Sequence, residues 1–415
     1  MSTAAAAQTP PGSPPTAAPA GQGVGDYARR WWSDVRAGEL GSLPIIIGLV
    51  IIAIVFQSQN DRFLTSGNFV NLIVQAAAIT TIGMGVVFVL LLGEIDLSVG
   101  YVSGVAGVLC ALLLLPDESA LPAGFAILAA LAAGVVIGTL HGLLITKVGI
   151  PSFVVTLAGL LGWNGVVLLL IGQRGTVVLQ DDFVIGLSNN FLTDSTALIA
   201  ALVAVGLYAG VLLISRRSRQ AAGLPNDPPV LLALRVAGLA VILFGVVLFA
   251  NQDRGIPYVL VLLAVLFLFW TFVLNRTRFG RHVYAVGGNA EAARRAGINV
   301  DRIKIQVFAI CSLMAALGGI ILASRLRSVD PGAGGGQILL YSIAAAVIGG
   351  TSLFGGRGNI KSAVLGALVI ASIDNGLGLL GLSSGTKFVV TGLVLLAAVT
   401  VDSVSRKGRA QSGRA

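Results

Sequence analysis

Two carboxylates interrupt an otherwise apolar stretch between about residues 70 and 115. The interruption reads GEIDLSVG over residues 93–100. Ionisable side chains at or within a membrane boundary are energetically costly, and they usually face a cavity, a partner or water. The pattern therefore predicts a helix break that lines the path of a polar solute, with Glu94, Asp96 and Ser98 as candidate residues. An ordinary tight turn between two spans is the alternative.

Two further sites place polar side chains inside apolar runs. Ser152 and Thr156 follow Pro151 at the start of a run, where their hydroxyls can contact a sugar or bond back to the helix carbonyls. Asp374 and Asn375 form an adjacent acid–amide pair within a later run. We expect this pair to line a solute pathway or a subunit interface, because polar groups at membrane depth need partners.

The sequence predicts neither catalytic residues nor a metal or cofactor site. Cys110 and Cys311 lie in apolar runs and are interpreted as small buried side chains. A GxGxxG match at 376–381 has no preceding strand, and a GxSxG match at 381–385 lacks the strand–turn–helix setting of a nucleophile elbow. No lysine follows a glycine, so the chain has no Walker A loop and cannot itself be a P-loop ATPase.

The composition is that of a membrane protein. Of 415 residues, 56% are hydrophobic and only 11% are charged, far below the roughly 25% charged residues of soluble domains. The apolar runs are continuous rather than alternating, which excludes a β-barrel and predicts an all-α polytopic fold with about 10–12 transmembrane helices, some broken or re-entrant. The expected spans are 43–57, 70–92, 97–115, 123–146, 152–172, 196–214, 230–250, 257–275, 304–324, 337–350, 361–381 and 386–402.

Lysine and arginine concentrate in alternate loops, so the net charge of +9 reflects a positive-inside bias and not nucleic-acid binding. We expect both termini to be cytoplasmic and the acidic segment 173–195 to be an external loop. The predicted organisation is a disordered cytoplasmic tail (1–25), an interfacial segment (26–42), a transmembrane domain (43–402) and a basic cytoplasmic tail (403–415).

Glycines recur at every fourth position in the fourth run, at Gly134, Gly138 and Gly142. This spacing puts them on one helix face and predicts close helix packing.

A basic polar segment at 277–304 separates two apolar runs and is expected on the cytoplasmic side. Its middle, from Asn289 to Ala296, is rich in Ala, Glu and Arg, which favours a short helix between glycine start and stop signals. A short helix on a cytoplasmic loop can pass force to a soluble partner. The candidate coupling residues are Arg281, Gly287, Gly288, Asn289, Glu291, Ala292, Ala293 and Gly297.

Four motifs together resemble the permease subunits of ABC importers for monosaccharides, the ribose, xylose, arabinose and galactoside group. They are GEIDLSVG (93–100), GIPSFVVTL (149–157), RFGRHVYAVGGNAEAARRAGI (278–298) and GGTSLFGGRGNI (349–360). The first motif commonly has Gly at the position of Glu94. Extra length around 173–256 resembles the xylose-type branch, which favours D-xylose or a related pentose.

The resemblance implies an inner-membrane homodimer that works with a cytoplasmic ABC ATPase and an extracytoplasmic sugar-binding protein. It also implies that 288–297 docks on the ATPase, that ATP and Mg²⁺ bind that partner, and that the sugar crosses by alternating access. An ABC permease for a branched-chain amino acid or a nucleoside, and a cation-coupled secondary sugar transporter, are the alternatives. A membrane enzyme would need clustered Asp, Glu or His on a polar loop.

Overall fold

The computed structural model describes residues 29, 42–116, 121–224 and 226–411. The predicted N-terminal tail 1–25 lies outside these ranges, as do residues 412–415 and all of the interfacial segment 26–42 except residues 29 and 42.

Within the described residues the chain forms fifteen α-helices and two short strands. In chain order these are α1 Leu43–Gln59, α2 Ser66–Leu91, α3 Val99–Leu113, α4 Ala123–Leu143, α5 Ser152–Ile171, β1 Val177–Val178, α6 Asp182–Asn189, α7 Asp194–Ala221, α8 Pro229–Ala250, α9 Tyr258–Arg276, α10 Arg278–Gly288, α11 Ala290–Arg295, α12 Val300–Leu326, β2 Ser328–Val329, α13 Gln337–Ile348, α14 Ile360–Leu379 and α15 Ser384–Gln411. A π-helical turn, Leu144–Val148, extends α4.

The predicted all-α polytopic fold is confirmed. Among the described residues, eight helices are long and apolar enough to cross a membrane, and α1, α3 and α13 are shorter apolar helices. The short helices correspond to apolar runs that are interrupted by glycine and polar residues in the sequence. Apolar side chains such as Leu161, Leu169 and Phe272 are exposed, as expected of a surface that faces lipid chains.

The chain divides into two compact units. Apart from residue 29, the described part of the smaller unit comprises residues 198–224 and 226–245, which contain most of α7 and α8. Within it, Arg235 pairs with Asp227 at 3.0 Å. The larger unit, Gly41–Ala197 and Val246–Ala415, contains every site described below.

The larger unit is built around α2, α12 and α14, which are the most deeply buried of the eight candidate spans. Small residues allow this close packing. A Cβ at Gly134 would lie 2.7 Å from the Ala316 Cβ, one at Gly142 would lie 2.6 Å from the Ile305 Cα, and one at Gly138 would overlap the Phe308 carbonyl oxygen. The predicted glycine stripe on α4 therefore packs directly on α12.

The segment 173–195, predicted as an external loop, is partly ordered by the end of α12. Strand β1 pairs antiparallel with β2. Helix α6 is held by Ser188, whose amide donates to the Ser324 hydroxyl (3.0 Å) and whose hydroxyl donates to the Ile321 carbonyl (3.1 Å). Two-residue strands and an eight-residue helix are too short to give a periodic sequence pattern.

Replacing Gly138 by leucine should prevent the normal contact of α4 with α12, because overpacking a close helix contact costs about 1–3 kcal/mol or more. We expect a low yield of monodisperse protein by fluorescence-detected size exclusion. Gly124→Leu is the matched control, since a Cβ at Gly124 on the same helix meets nothing within 4 Å. Equal behaviour of the two variants would contradict the close-packing interpretation.

Candidate functional site: a coupling junction and a polar cavity

The polar segment 277–304 is more helical than predicted. The Thr277 hydroxyl accepts from the Gly280 amide (3.2 Å) and begins α10. The Asn289 side chain accepts from the Ala292 amide (2.9 Å) and begins α11, as expected of N-cap residues. Gly297, with φ of 84°, follows α11 in a left-handed conformation suited to glycine.

Helix α11 presents an exposed polar face. Glu291 pairs with Arg294 and Arg295, which lie three and four residues further along the helix, both at 3.2 Å. Ala293 is buried against the rest of the protein, whereas Ala292 is exposed. The helix is therefore held on one side and free on the other, the geometry that docking a soluble partner requires.

Gly287, near the end of α10, touches the ends of two other segments, and we call this contact the coupling junction. A Cβ at Gly287 would overlap the Leu91 carbonyl oxygen at the end of α2 and would lie 3.0 Å from the Gly356 nitrogen. The Gly356 amide donates to the same Leu91 carbonyl at 2.9 Å. Gly355 and Gly356 have φ of 84° and 72°, so the loop between α13 and α14 reaches this point only because glycine populates that region.

Tyr284 adds a second link to the loop between α13 and α14. Its hydroxyl donates to the Gly358 carbonyl at 2.8 Å, and burial raises the pKa of this phenol, so it remains a donor at neutral pH. The neighbouring Gly288 differs, because a Cβ there meets nothing within 4 Å. Of these two adjacent glycines, only Gly287 is required by close backbone contact.

Glu94 lies close to the junction, three residues after Leu91. Its carboxylate pairs with Lys304 in the first turns of α12. The Glu94 and Lys304 side chains are only 17% and 24% exposed, whereas the nearby Lys147–Asp301 pair is 62% and 38% exposed. Less solvent screening makes the first pair the stronger of the two.

Asp96 begins a chain of buried polar groups at the start of α3. Its Oδ1 accepts from the Ser98 amide (2.9 Å) and hydroxyl (2.6 Å). The Ser98 hydroxyl lies 3.4 Å from His141 Nδ1, and the Trp163 indole donates to His141 Nε2 at 3.1 Å. Because Nε2 accepts, a neutral His141 carries its proton on Nδ1 and points it at Ser98.

Thr156 and Ser152 support this buried chain from α5. The Thr156 hydroxyl contacts the carbonyls of Ser152 (2.9 Å) and Ile95 (3.3 Å). The cavity beside His141 and Trp163, about 370 Å³, is otherwise lined by aliphatic residues and glycine. These polar groups bond to one another and hold the helix break, while the buried Asp96 Oδ2 has no hydrogen-bond partner among the described residues.

Asp374 and Asn375 have different surroundings. Asn375 is buried and exchanges two hydrogen bonds with Asn68 (2.9 and 3.0 Å), which join α14 to α2. Asp374 is half-buried and has only long contacts, 3.5 Å to the Tyr341 hydroxyl and 3.8 Å to the Lys387 ammonium. The Asp374 carboxylate therefore retains capacity to accept hydrogen bonds.

Asp374 lines a cavity of about 240 Å³ between α2, α12, α13 and α14, which we call the polar cavity. Its polar lining residues are Gln75, Arg325, Gln337, Tyr341 and Asp374. Four of the five carry hydrogen-bond donors, and together with the carboxylate and amide oxygens they match the alternating donors and acceptors of a sugar. The volume is below the about 300–1,000 Å³ typical of drug-sized ligands.

The predicted pathway residues therefore divide among four places. Glu94 lies next to the coupling junction, Asp374 at the polar cavity and Asn375 at the contact of α14 with α2. Asp96, Ser98, Ser152 and Thr156 lie around the helix break. His141 is not among the predicted site residues, although a lone histidine inside an apolar run is itself a signal of a buried polar partner. Arg325, Gln75 and Tyr341 lie in three separate helices, and no sequence pattern connects them.

Comparison with known proteins agrees with this architecture. Residues 68–399 match the family model described as "Branched-chain amino acid transport system / permease component". The xylose transport system permease protein XylH of Escherichia coli K12 is 37% identical over 379 residues, covering 91% of this chain and 95% of the relative. The chain belongs to this permease family.

Other relatives extend the same result. XylH of Haemophilus influenzae is 36% identical over 88% of this chain and 98% of the relative. The ribose import permease protein RbsC of Escherichia coli K12 is 32% identical over 90% of this chain and 97% of the relative. No solved structure matches the chain significantly. The predicted resemblance to xylose- and ribose-type sugar permeases is confirmed, and the chain is a transport subunit of the inner membrane and not an enzyme.

Replacing Gly287 by alanine should displace α10 in this permease, because the added methyl group meets backbone that cannot rotate away. We expect a loss of about 1–3 kcal/mol, measured as a lower thermal unfolding midpoint in detergent. Gly288→Ala is the control and should leave the midpoint unchanged. A Gly287→Ala protein as stable as wild type would show that the junction is not tightly packed.

Breaking the Glu94–Lys304 pair should destabilise the permease more than breaking an exposed pair. Lys304→Met leaves a largely buried carboxylate unpaired, which we expect to cost about 1–3 kcal/mol. Lys147→Met should change the free energy of unfolding by under about 1 kcal/mol, and so shift the thermal unfolding midpoint less. The exchanged pair Glu94→Lys with Lys304→Glu should recover part of the loss, and failure of Lys304→Met to exceed Lys147→Met would contradict the assignment.

Proposed function

We propose that this chain is the permease of an ABC importer that moves a pentose, with D-xylose as the first candidate, into the cytoplasm. The observation that carries the proposal is 37% identity to a xylose permease over 91% of the chain, combined with a small cavity lined by five polar side chains. The ribose permease, at 32% identity, makes ribose the second candidate.

The chemistry of the polar cavity supports a sugar over an apolar amino acid. Asp374, Gln75 and Gln337 offer oxygen acceptors, and Arg325 offers several donors in a fixed geometry. The Tyr341 ring adds an apolar face beside its hydroxyl. A leucine-like side chain would leave most of these groups without partners, which is unfavourable for binding.

The exposed face of α11 supports a cytoplasmic ATPase as the partner at the coupling end. Glu291, Arg294 and Arg295 are 59% or more exposed, and the surrounding segment is basic, as positive-inside bias requires. ATP and Mg²⁺ would bind that ATPase. This orientation puts both termini of the permease in the cytoplasm, with the sugar-binding protein at the opposite end. A second permease copy completes the proposed importer as a homodimer.

The buried helices provide a mechanical route between the two ends. Helix α12 has 27 residues, a length of about 40 Å; Lys304 near its start is at the junction, and Arg325 near its end is at the polar cavity. Helix α2 likewise joins Gln75 to Leu91. A displacement of α10 and α11 by the ATPase would therefore move the cavity lining, which is the basis of the proposed alternating access.

Replacing Asp374 by asparagine should reduce sugar uptake without preventing assembly. A charge-assisted hydrogen bond contributes about 1.5–3 kcal/mol, so we expect uptake to fall about tenfold or more. The measurement is ATP-dependent uptake of radiolabelled xylose by proteoliposomes that contain the permease, its co-purifying ATPase and its binding protein. Asp253→Asn is the control, since Asp253 is exposed, paired with Arg254 and outside the polar cavity.

The same assay tests the alternatives. Competition by unlabelled ribose, leucine or a nucleoside identifies the solute, and uptake driven by a cation gradient without ATP would support a secondary transporter. If no P-loop ATPase co-purifies after crosslinking in mild detergent, the proposed function is wrong. If Asp374→Asn and Asp253→Asn behave alike, the proposed pathway is wrong.

A further inference from the structure

A second cavity, separate from the polar cavity, is an open groove of about 790 Å³ between α4, α10 and α12, which we call the interfacial groove. Part of its lining comes from the polar segment 277–304, which we call the coupling segment. None of its lining residues belongs to the Asp96 cluster, the coupling junction or the polar cavity.

The two ends of the interfacial groove differ in chemistry. One end is cationic and polar, with Arg278 and His282 from α10 and Arg302 from the start of α12. The other end is aliphatic, formed by Val135 of α4 with Ile310 and Leu313 of α12. A ligand that fills the groove must therefore be anionic at one end and apolar at the other.

The cationic end has two arginines that form no ion pair within the described residues. Within the described part of the chain, Arg278 and Arg302 have no acidic partner, and both are exposed. The neighbouring acids are already paired, Asp301 with Lys147 and Glu291 with Arg294 and Arg295. Two arginines beside a half-buried histidine form a site for phosphate oxygens, which arginine binds through paired N–H donors.

The depth of the groove matches an acyl chain. Val300 begins α12 at the polar end, and Leu313 lies 13 residues further along, or about 20 Å deeper. Val135 lies 13 residues before Val148, where the α4 extension ends, so α4 gives the same depth. Measured from the level at which α12 enters the membrane, a length of about 20 Å reaches beyond the middle of a hydrocarbon core that is about 30 Å thick.

We propose that the interfacial groove binds one anionic phospholipid of the leaflet on the coupling side. Its phosphate lies between Arg278 and Arg302, and an acyl chain follows Val135, Ile310 and Leu313. The headgroup then bridges α10 and α12, the two helices that flank α11. The inference rests on the proposed cytoplasmic side of the coupling segment and not on which solute is transported.

The test is lipid binding by the purified full-length permease in delipidated detergent micelles, followed by native mass spectrometry. We expect phosphatidylglycerol to be retained in preference to phosphatidylcholine. Arg278→Ala with Arg302→Ala should lower phosphatidylglycerol affinity about tenfold or more, because two charge-assisted contacts are removed. Arg276→Ala is the matched control, as this arginine ends α9 and does not line the groove.

A second variant separates a lipid from a simple phosphate ion. Ala309→Trp fills the apolar part of the groove and should reduce phosphatidylglycerol binding while leaving Arg278 and Arg302 in place. Inorganic phosphate at equal concentration should not displace the lipid. Equal retention of both phospholipids, an equal loss in Arg276→Ala, undiminished binding in Ala309→Trp, or displacement by inorganic phosphate would each overturn the proposal. Thermal unfolding of each variant without added lipid checks its folding.

Discussion

The absent side chain of Gly287 is the constraint on which the coupling end of this permease depends. It lets the end of α10 touch the Leu91 carbonyl and the Gly356 amide directly. Contacts between backbones cannot be absorbed by a change of side-chain rotamer, and close-packed interiors transmit displacement rather than yield to it. A movement of α10 must therefore move the end of α2 and the loop that precedes α14. Glycines 355 and 356 make the same contact possible from the other side, through a backbone conformation that other residues rarely adopt.

The buried polar groups divide by whether their bonds are already made. Asn375 is occupied by Asn68, and Asp96 Oδ1 holds both the amide and the hydroxyl of Ser98. Atoms with such hydrogen bonds fix the positions of the helices, because breaking a bond would leave a polar atom unpaired in an apolar setting. Asp374 differs, with only long contacts and a position on the polar cavity, and the buried Asp96 Oδ2 also has no partner among the described residues. In a membrane domain such a carboxylate is retained where water or a solute supplies the missing bonds, which supports the polar cavity as the proposed place for a sugar.

The sequence predicts the class of fold because hydrophobic length and charge bias are properties of single segments. It also predicts the glycine stripe on α4 and the short helix that begins at Asn289, since both depend on local spacing. Helix α10 was not predicted, because RFGRHVYAVGG contains three glycines and becomes helical only where Val283 and Val286 are buried by other segments. The pairing of Glu94 with Lys304 spans 210 positions, and the polar cavity draws on four helices. Such sites arise from tertiary packing, and one sequence alone contains no pattern that joins their residues.

The length of α11 determines how force must pass through the coupling segment. Six residues form fewer than two turns and are not stable alone, so α11 is held by its Asn289 cap, the buried Ala293 and its flanking helices. In the proposed importer, a force that the ATPase applies to the exposed face of α11 is transmitted in two directions. One is through Asn289 into α10, and the other is through Gly297 into α12. The first route reaches Leu91 by way of Gly287. The second reaches Glu94 by way of Lys304. In the proposed importer both routes therefore end within residues 91–94, and the helix break at 93–100 is where the two arms of the coupling segment would act on α2 and α3 together.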